Sequence, residues 1–452
     1  MTDHGPSEPV RSSVLAAGIG RLIEPGRRQN GVQSLVQRPT RDCVVVESVD
    51  DEDRSSVQCI DHPGRERKRQ RHTFAGRSNA GEPGLRHGGR LERQDHQGGA
   101  RVDHVRHSTV APSYSAPMHI RVGVIGGGSW GTTVAHLAAH NAPTVLWARD
   151  EGTCEAINTD HINRRYLDGY TLHSDLRADA DLASVVAQSD VVVMGVPSHS
   201  YRETLAKVAE HIRAWVPVVS LTKGLEQGSR LRMSQVANEV LPGHPFAVLT
   251  GPNLAKEILA GDAAASVVAT HDPVVAAHLQ GIFTTNLFRV YTNPDVIGCE
   301  LGGALKNVIA IAAGMADGLG AGDNTKSAVI TRGLNELSRL GEAMGGEAVT
   351  FAGLAGMGDL IATCMSPQSR NRHVGEQLGK GNTIDEVIGA MNMVAEGVKT
   401  AKVVMELGAE YGVELPIGAE VHAVCHEGAS AADAYRGLLR HEAGVEHHHY
   451  SF

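Results

Sequence analysis

Gly126-Gly127-Gly128-Ser129-Trp130-Gly131 follows a β-branched run, His119–Ile125, and leads into Val134, Ala135 and Leu137 at helical spacing. A G-x-G-x-x-G string between a strand and a helix points to dinucleotide binding, whereas the same string in a loop would be only a flexible turn. Gly126 permits the tight turn, Gly128 lets the backbone approach a pyrophosphate, and Gly131 lets the helix pack on the strand. The amides and positive end of a helix running from about Trp130 to His140 then hold the phosphates.

Outward from this loop, further short apolar runs alternate with helical patterns: Thr144–Trp147, Asp190–Val196, Val216–Leu221, Phe246–Thr250, Ala265–Ala269 and Leu287–Tyr291. Continuous apolar strands separated by helices predict a mostly parallel sheet covered on both faces. Pro197 ends the third strand at the carboxyl edge, where such sheets bind ligands. Beyond about Val296 the strand pattern gives way to Ala/Leu/Gly-rich helical patterns up to about Leu439. The expected architecture is an α/β Rossmann-type domain over residues 118–297 followed by an all-α domain over 298–440.

Residues 1–117 hold about 18 of the 42 Lys+Arg and about 15 of the 51 Asp+Glu, with no sustained period, and are expected to be a disordered N-terminal extension. They read as a solvated tail, an Arg-rich arm, or residues upstream of a natural start at Met118. The remainder carries a net charge near −12, which argues against a nucleic-acid surface. Six cysteines without metal-type spacing suggest a reduced, cytoplasmic protein. No run is expected to span a membrane, no metal is called for, and residues 441–452, with His447-His448-His449, read as a flexible tail.

Between Glu300 and Asp317 the single charged residue is Lys306, and Ile309, Ala310 and Ala313 share its helical face. Such an ammonium either snorkels to the surface or is desolvated toward a pKa at which it can exchange a proton. A desolvated amine needs a partner. The glycine run Gly353–Gly358 delivers Asp359 to a helix start, where it serves as an N-cap or as that partner, with Thr363 one turn on. Ser369-Arg370-Asn371-Arg372 offers a planar guanidinium and small polar groups suited to phosphate. Lys223 follows the fourth strand and Gly251-Pro252-Asn253 the fifth, both at the expected carboxyl edge. The second strand ends in Arg149-Asp150: the arginine suits a 2′-phosphate, and the aspartate leaves NADH open. Glu396 reads from the residues as a carboxylate at a helix end.

Taken in order, GGGSWGTT, LTKGLE, LTGPN, ELGGALKNVIAIAAG, GLAGMGDLIATC, SRN and AEGVKTA make the chain from Met118 to Arg440 resemble the bacterial NAD(P)-dependent glycerol-3-phosphate dehydrogenases. The resemblance implies reversible reduction of dihydroxyacetone phosphate to sn-glycerol 3-phosphate with NADP(H) or NAD(H), supplying glycerophospholipid synthesis, and makes a homodimer plausible. It implies Lys306 as the catalytic lysine beside Asp359, and Lys223, Gly251, Ser369, Arg370 and Asn371 around the substrate; from the residues themselves, Thr363, Asn307 to orient the hydroxyls, and Asn253 at the sheet edge are added to that site. Beside Gly126, Gly128 and Gly131 of the glycine loop, the resemblance implies that Ser129, Trp130, Arg149, Ala255, Val394 and Glu396, with Lys223 and Arg370 shared, meet the dinucleotide. Asn253 is a departure, since many relatives carry serine there. The nearest rival within enzymes is a β-hydroxyacid or ketopantoate-type reductase, and outside them a nucleotide sensor.

Overall fold

Eight strands build one sheet: β1 Val122–Ile125, β2 Thr144–Trp147, β3 Arg177–Asp179, β4 Val191–Met194, β5 Val218–Ser220, β6 Phe246–Thr250, β7 Ala264–Ala269 and β8 Phe288–Asn293. Their order is β8-β7-β6-β5-β4-β1-β2-β3, parallel throughout except between β6 and β7. β1 and β4 bury every residue, as strands covered on both faces must. The short edge strand β3, Arg-Ala-Asp, carries no apolar run and was not expected from sequence; it forms by pairing with β2, and only Ala178 is buried. The antiparallel β6–β7 pair follows from its connection, whose helix Ala255–Ala260 is too short to return the chain for a parallel crossover.

The computed structural model describes residues 45–48, 56–59, 120–391 and 395–440. The chain divides into two units, Met1–Arg106 and His107–Phe452. In the first, Val45–Ser48 and Ser56–Cys59 pair antiparallel; the rest of the segment expected to be disordered lies outside the described residues, as do residues 441–452 with the three histidines, and Val394. All that follows concerns the second unit.

The chain lays β1, β2 and β3 to one side and returns to place β4 beside β1. Order reverses between β1 and β4, which leaves a crevice at their carboxyl ends. The Ser129–Ala139 helix starts there. Gly126 has φ +127°, and a β-carbon on it would lie 2.5 Å from the Gly195 carbonyl oxygen, so only glycine closes this turn against β4. A β-carbon on Gly131 would lie 2.1 Å from the Gly126 carbonyl, which is the tight helix-to-strand contact expected of the third glycine.

After β8, Asp295 accepts the Gly298 N–H at 2.7 Å and caps a 23-residue helix, Val296–Gly318. The helical part therefore begins at Val296, two residues before the expected boundary. Around this central helix pack Asp323–Ala343, Arg370–Gly379, Glu396–Tyr411 and Pro416–His426, with Leu305, Val308, Leu340, Phe351, Leu360 and Val421 in the core between them. Glycines let backbones meet: a β-carbon on Gly302 would lie 2.6 Å from the Ala355 carbonyl, and one on Gly303 3.0 Å from Thr250 Oγ1. These adjacent residues admit, on one side, the turn leading to Asp359 and, on the other, the end of β6.

By length and composition Val296–Gly318 and Ala348–Met365 are apolar enough to cross a membrane, contrary to the expectation that no run qualifies. The central helix spends that apolarity inside the protein, with 94% of its apolar 18-residue stretch buried. Cys154, Cys299, Cys364 and Cys425 are buried free thiols.

Candidate active site

The turn Leu354–Gly358 is a π-helix that runs directly into the Asp359–Met365 helix. Gly358, at the N-cap position, already has helical angles, so Asp359 is not a cap. Its carboxylate instead faces inward, and Asp359 is 2% exposed. Lys306 Nζ donates to Asp359 Oδ1 at 2.5 Å and to Thr363 Oγ1 at 2.6 Å. Lys223 Nζ donates to Asp359 Oδ2 and to the Gly251 carbonyl, each at 2.8 Å. Thr363 donates in turn to the Asp359 carbonyl at 2.6 Å.

One carboxylate thus holds two ammonium groups. Each amine uses two of the three protons an ammonium carries, which leaves one donor on Lys306 and one on Lys223 without a partner among the described residues. Burial pushes the Lys306 amine down to about 8; the nearby Lys223 charge acts the same way and Asp359 opposes both. The snorkelling alternative fails because Lys306 is 5% exposed. What results is an acid that can release a proton near neutral pH, held rigidly at the carboxyl edge of the sheet.

Beside it, Asn371 Nδ2 donates to Asn307 Oδ1 at 2.9 Å, Asn371 Oδ1 accepts the Gly397 N–H at 2.9 Å, and Asn307 Nδ2 reaches the Lys223 carbonyl at 3.4 Å. Ser369 caps the Arg370–Gly379 helix through the Arg372 N–H. Arg370, the first residue of that helix, is exposed. Asn253 donates to Ser266 Oγ at 3.2 Å, while its Oδ1 and the buried Thr250 Oγ1 have no partner among the described residues.

On the sheet side, Ser129 opens its helix without a side-chain cap, and Ala255 likewise opens Ala255–Ala260. The buried Trp130 Nε1 has no partner among the described residues, and the space a β-carbon on Gly128 would occupy is empty to 4 Å. An uncapped helix start, an orphaned donor and an open glycine fit a dinucleotide phosphate group. Arg149 is exposed at the end of β2, whereas Asp150 is committed as the cap of Glu151–Asp160, accepting from Thr153 N at 2.8 Å and Thr153 Oγ1 at 2.6 Å. Glu396 accepts the Ser198 N–H at 3.4 Å and lies against Gly224. Burial raises its carboxyl, opposed by that amide and by the Arg370, Lys399 and Lys306 charges. The expected helix-end carboxylate is therefore an inward-facing group between the two halves.

Sequence reasoning missed one feature of this region. Glu300, also buried on the central helix, takes Arg232 Nη1 at 2.8 Å, Ser234 N at 2.7 Å and Ser234 Oγ at 2.5 Å. Arg232 lies 68 residues away, and no local pattern pairs the two.

Residues 121–276 match the family model for the NAD-dependent glycerol-3-phosphate dehydrogenase N-terminus, and residues 295–436 the model for its C-terminus. This chain belongs to the NAD-dependent glycerol-3-phosphate dehydrogenase family. It is 60% identical over 331 residues to a glycerol-3-phosphate dehydrogenase [NAD(P)+] of Sphingopyxis alaskensis, an alignment covering 73% of this chain and 99% of the relative. With the enzyme of that name from Mycobacterium avium it shares 55% over 329 residues, 73% of this chain and 96% of the relative. A crystal structure of the Coxiella burnetii glycerol-3-phosphate dehydrogenase superposes with a TM-score of 0.68 at 35% identity, covering 72% of this chain and all of that one. The chain is accordingly an oxidoreductase that uses NAD(P) to interconvert dihydroxyacetone phosphate and glycerol 3-phosphate.

Proposed function

We propose that the reaction is carried out at the Lys306–Asp359–Lys223 cluster, with Lys306 as the proton donor to the ketone oxygen. The observation that carries this reading is the buried Lys306 ammonium, gripped by Asp359 and Thr363 with its third proton unpartnered among the described residues. A reduced nicotinamide, when bound, would supply a hydride to the carbonyl carbon. The carbonyl π pair moves onto oxygen, and Lys306 Nζ–H neutralises the developing charge by transferring its proton, leaving a neutral amine to be recharged from solvent. Asp359 keeps the amine aimed, and Lys223, held by Asp359 and the Gly251 carbonyl, adds positive charge for an anionic substrate.

Arg370, Ser369 and Asn371, grouped at one helix start, are the candidates to receive the substrate phosphate, with Asn307, Thr363, Asn253 and Gly251 lining the approach. Gly126, Gly128, Ser129, Trp130 and Gly131 cradle the pyrophosphate, and Ala255 and Glu396 complete the dinucleotide side. Arg149 faces solvent where a 2′-phosphate is read, while Asp150 is spent on its helix, which favours NADP(H). The product enters glycerophospholipid synthesis, and the enzyme acts in the cytoplasm as a homodimer.

The test is NADPH absorbance in the presence and absence of dihydroxyacetone phosphate. Oxidation that depends on the ketose phosphate, slower with NADH than with NADPH, is expected. A protein that binds NADPH but leaves it unoxidised when the ketose phosphate is added overturns the reading.

A further inference from the structure

Asn163 lies outside every group so far assigned, in the connection between the Glu151–Asp160 helix and β3. It is 0% exposed. Its Nδ2 donates to the Gly127 carbonyl at 3.0 Å and to Thr132 Oγ1 at 2.9 Å, 36 and 31 residues away. Both amide protons are thereby used, and the side chain's own Oδ1 is buried without a partner among the described residues. A buried carbonyl oxygen left unpaired is costly, so the two donated bonds must outweigh it.

From this geometry we infer that Asn163 is a positioning residue for the dinucleotide, acting through the backbone of the glycine loop. The inference rests on the reading of that loop as the pyrophosphate site. In a trans peptide the carbonyl of one residue and the N–H of the next point in opposite directions. Drawing the Gly127 oxygen inward onto Asn163 therefore turns the Gly128 N–H outward, away from the core. Gly128 is also the loop residue with open space before it. No hydrogen bond from the Gly128 N–H is made among the described residues, so this donor is free for an anion. The second bond, to Thr132 on the loop helix, fixes that helix relative to the same peptide. A β-carbon on Gly127 would lie 2.8 Å from the Ala148 β-carbon, so glycine lets this part of the loop approach the residue after β2 closely.

Substituting Asn163→Asp separates direction from size. At pH 8.5 the ionised carboxylate has no proton to donate and repels the Gly127 oxygen, which frees the peptide to turn. On protonation the carboxyl regains a donor for the Gly127 oxygen, and burial raises the pKa at which this occurs. NADPH fluorescence titration of the full chain should give a dissociation constant about tenfold weaker than wild type at pH 8.5, the effect of losing one buried hydrogen bond. The ratio of variant to wild type should narrow as pH falls to 5.5. The KM for dihydroxyacetone phosphate at saturating NADPH should stay within about twofold of wild type. An unchanged NADPH affinity, a ratio that ignores pH, or equal losses for both ligands overturns the inference. If Asn163→Asp does not fold, Asn163→Ala is measured instead, and the selective loss of NADPH affinity decides. Wild type that binds no NADPH sinks the loop assignment itself, a separate failure.

Discussion

Two buried charges sit on one helix, six residues apart, and are handled in opposite ways. Glu300 is closed: Arg232 and Ser234 supply three donors, and its carboxylate joins the central helix to the Met233–Val240 helix of the sheet layer. Burial raises its pKa above the ordinary carboxylate value, against the opposing Arg232 charge and Ser234 donors. Lys306 is left open, since Asp359 is divided between it and Lys223, and its third proton has no partner among the described residues. Burial of charge is thus not in itself a sign of chemistry. An anchor saturates its partners, whereas a reacting group keeps a donor available in a desolvated setting.

The widest separation between the two should come from their neutral, size-matched replacements. Lys306→Met removes the proton donor, so turnover is expected to fall by about a thousandfold, within the range for loss of general acid catalysis, while NADPH still binds. Its urea midpoint should hold or rise, because Asp359 keeps Lys223 as a partner and a desolvated amine is gone. Arg232→Met should do the reverse. It strands Glu300, which is 6% exposed, and is expected to cost about 3 kcal/mol of stability in urea unfolding, as removal of one member of a buried pair does. Turnover at 25 °C should remain within about twofold of wild type. Should Arg232→Met abolish turnover in folded protein, or Lys306→Met unfold it while leaving residual activity high, the division into anchor and acid is wrong.

Sequence disclosed these two charges unequally. Lys306 stood out because a lone ammonium in an apolar helix demands an explanation, and Asp359 could be proposed as its partner because a glycine run delivers it to a helix start. Whether Asp359 capped that helix or met the lysine depended on the turn before it, and the π-helical path of Leu354–Gly358 has no signature distinct from a loop. That Lys223 shares the same carboxylate joins positions 136 residues apart, a fact of tertiary packing. Glu300 drew no reading of its own, because its partner Arg232 lies 68 residues earlier in the chain. The sheet was legible wherever strands were continuously apolar; β3 was not, because an edge strand takes its conformation from its neighbour and needs little hydrophobicity of its own. Asn163, too, had no pattern to announce it.

The smallest effect is the most direct measure of the open amine. Burial lowers Lys306 to about 8, so the acid form needed to reduce the ketone is full below that pH and lost above it. kcat/KM for dihydroxyacetone phosphate reduction is therefore expected to fall about tenfold per pH unit above about 8. The reverse oxidation needs the neutral amine as base and should rise through the same pH. Removing the like charge next to it, in Lys223→Met, relieves a pressure that lowers the amine, and the break in both profiles should move alkaline. Substituting Arg232→Met touches neither amine and should leave the break where it is. If the break follows Arg232 and ignores Lys223, the titrating group belongs to the anchor, and the proton must come from elsewhere.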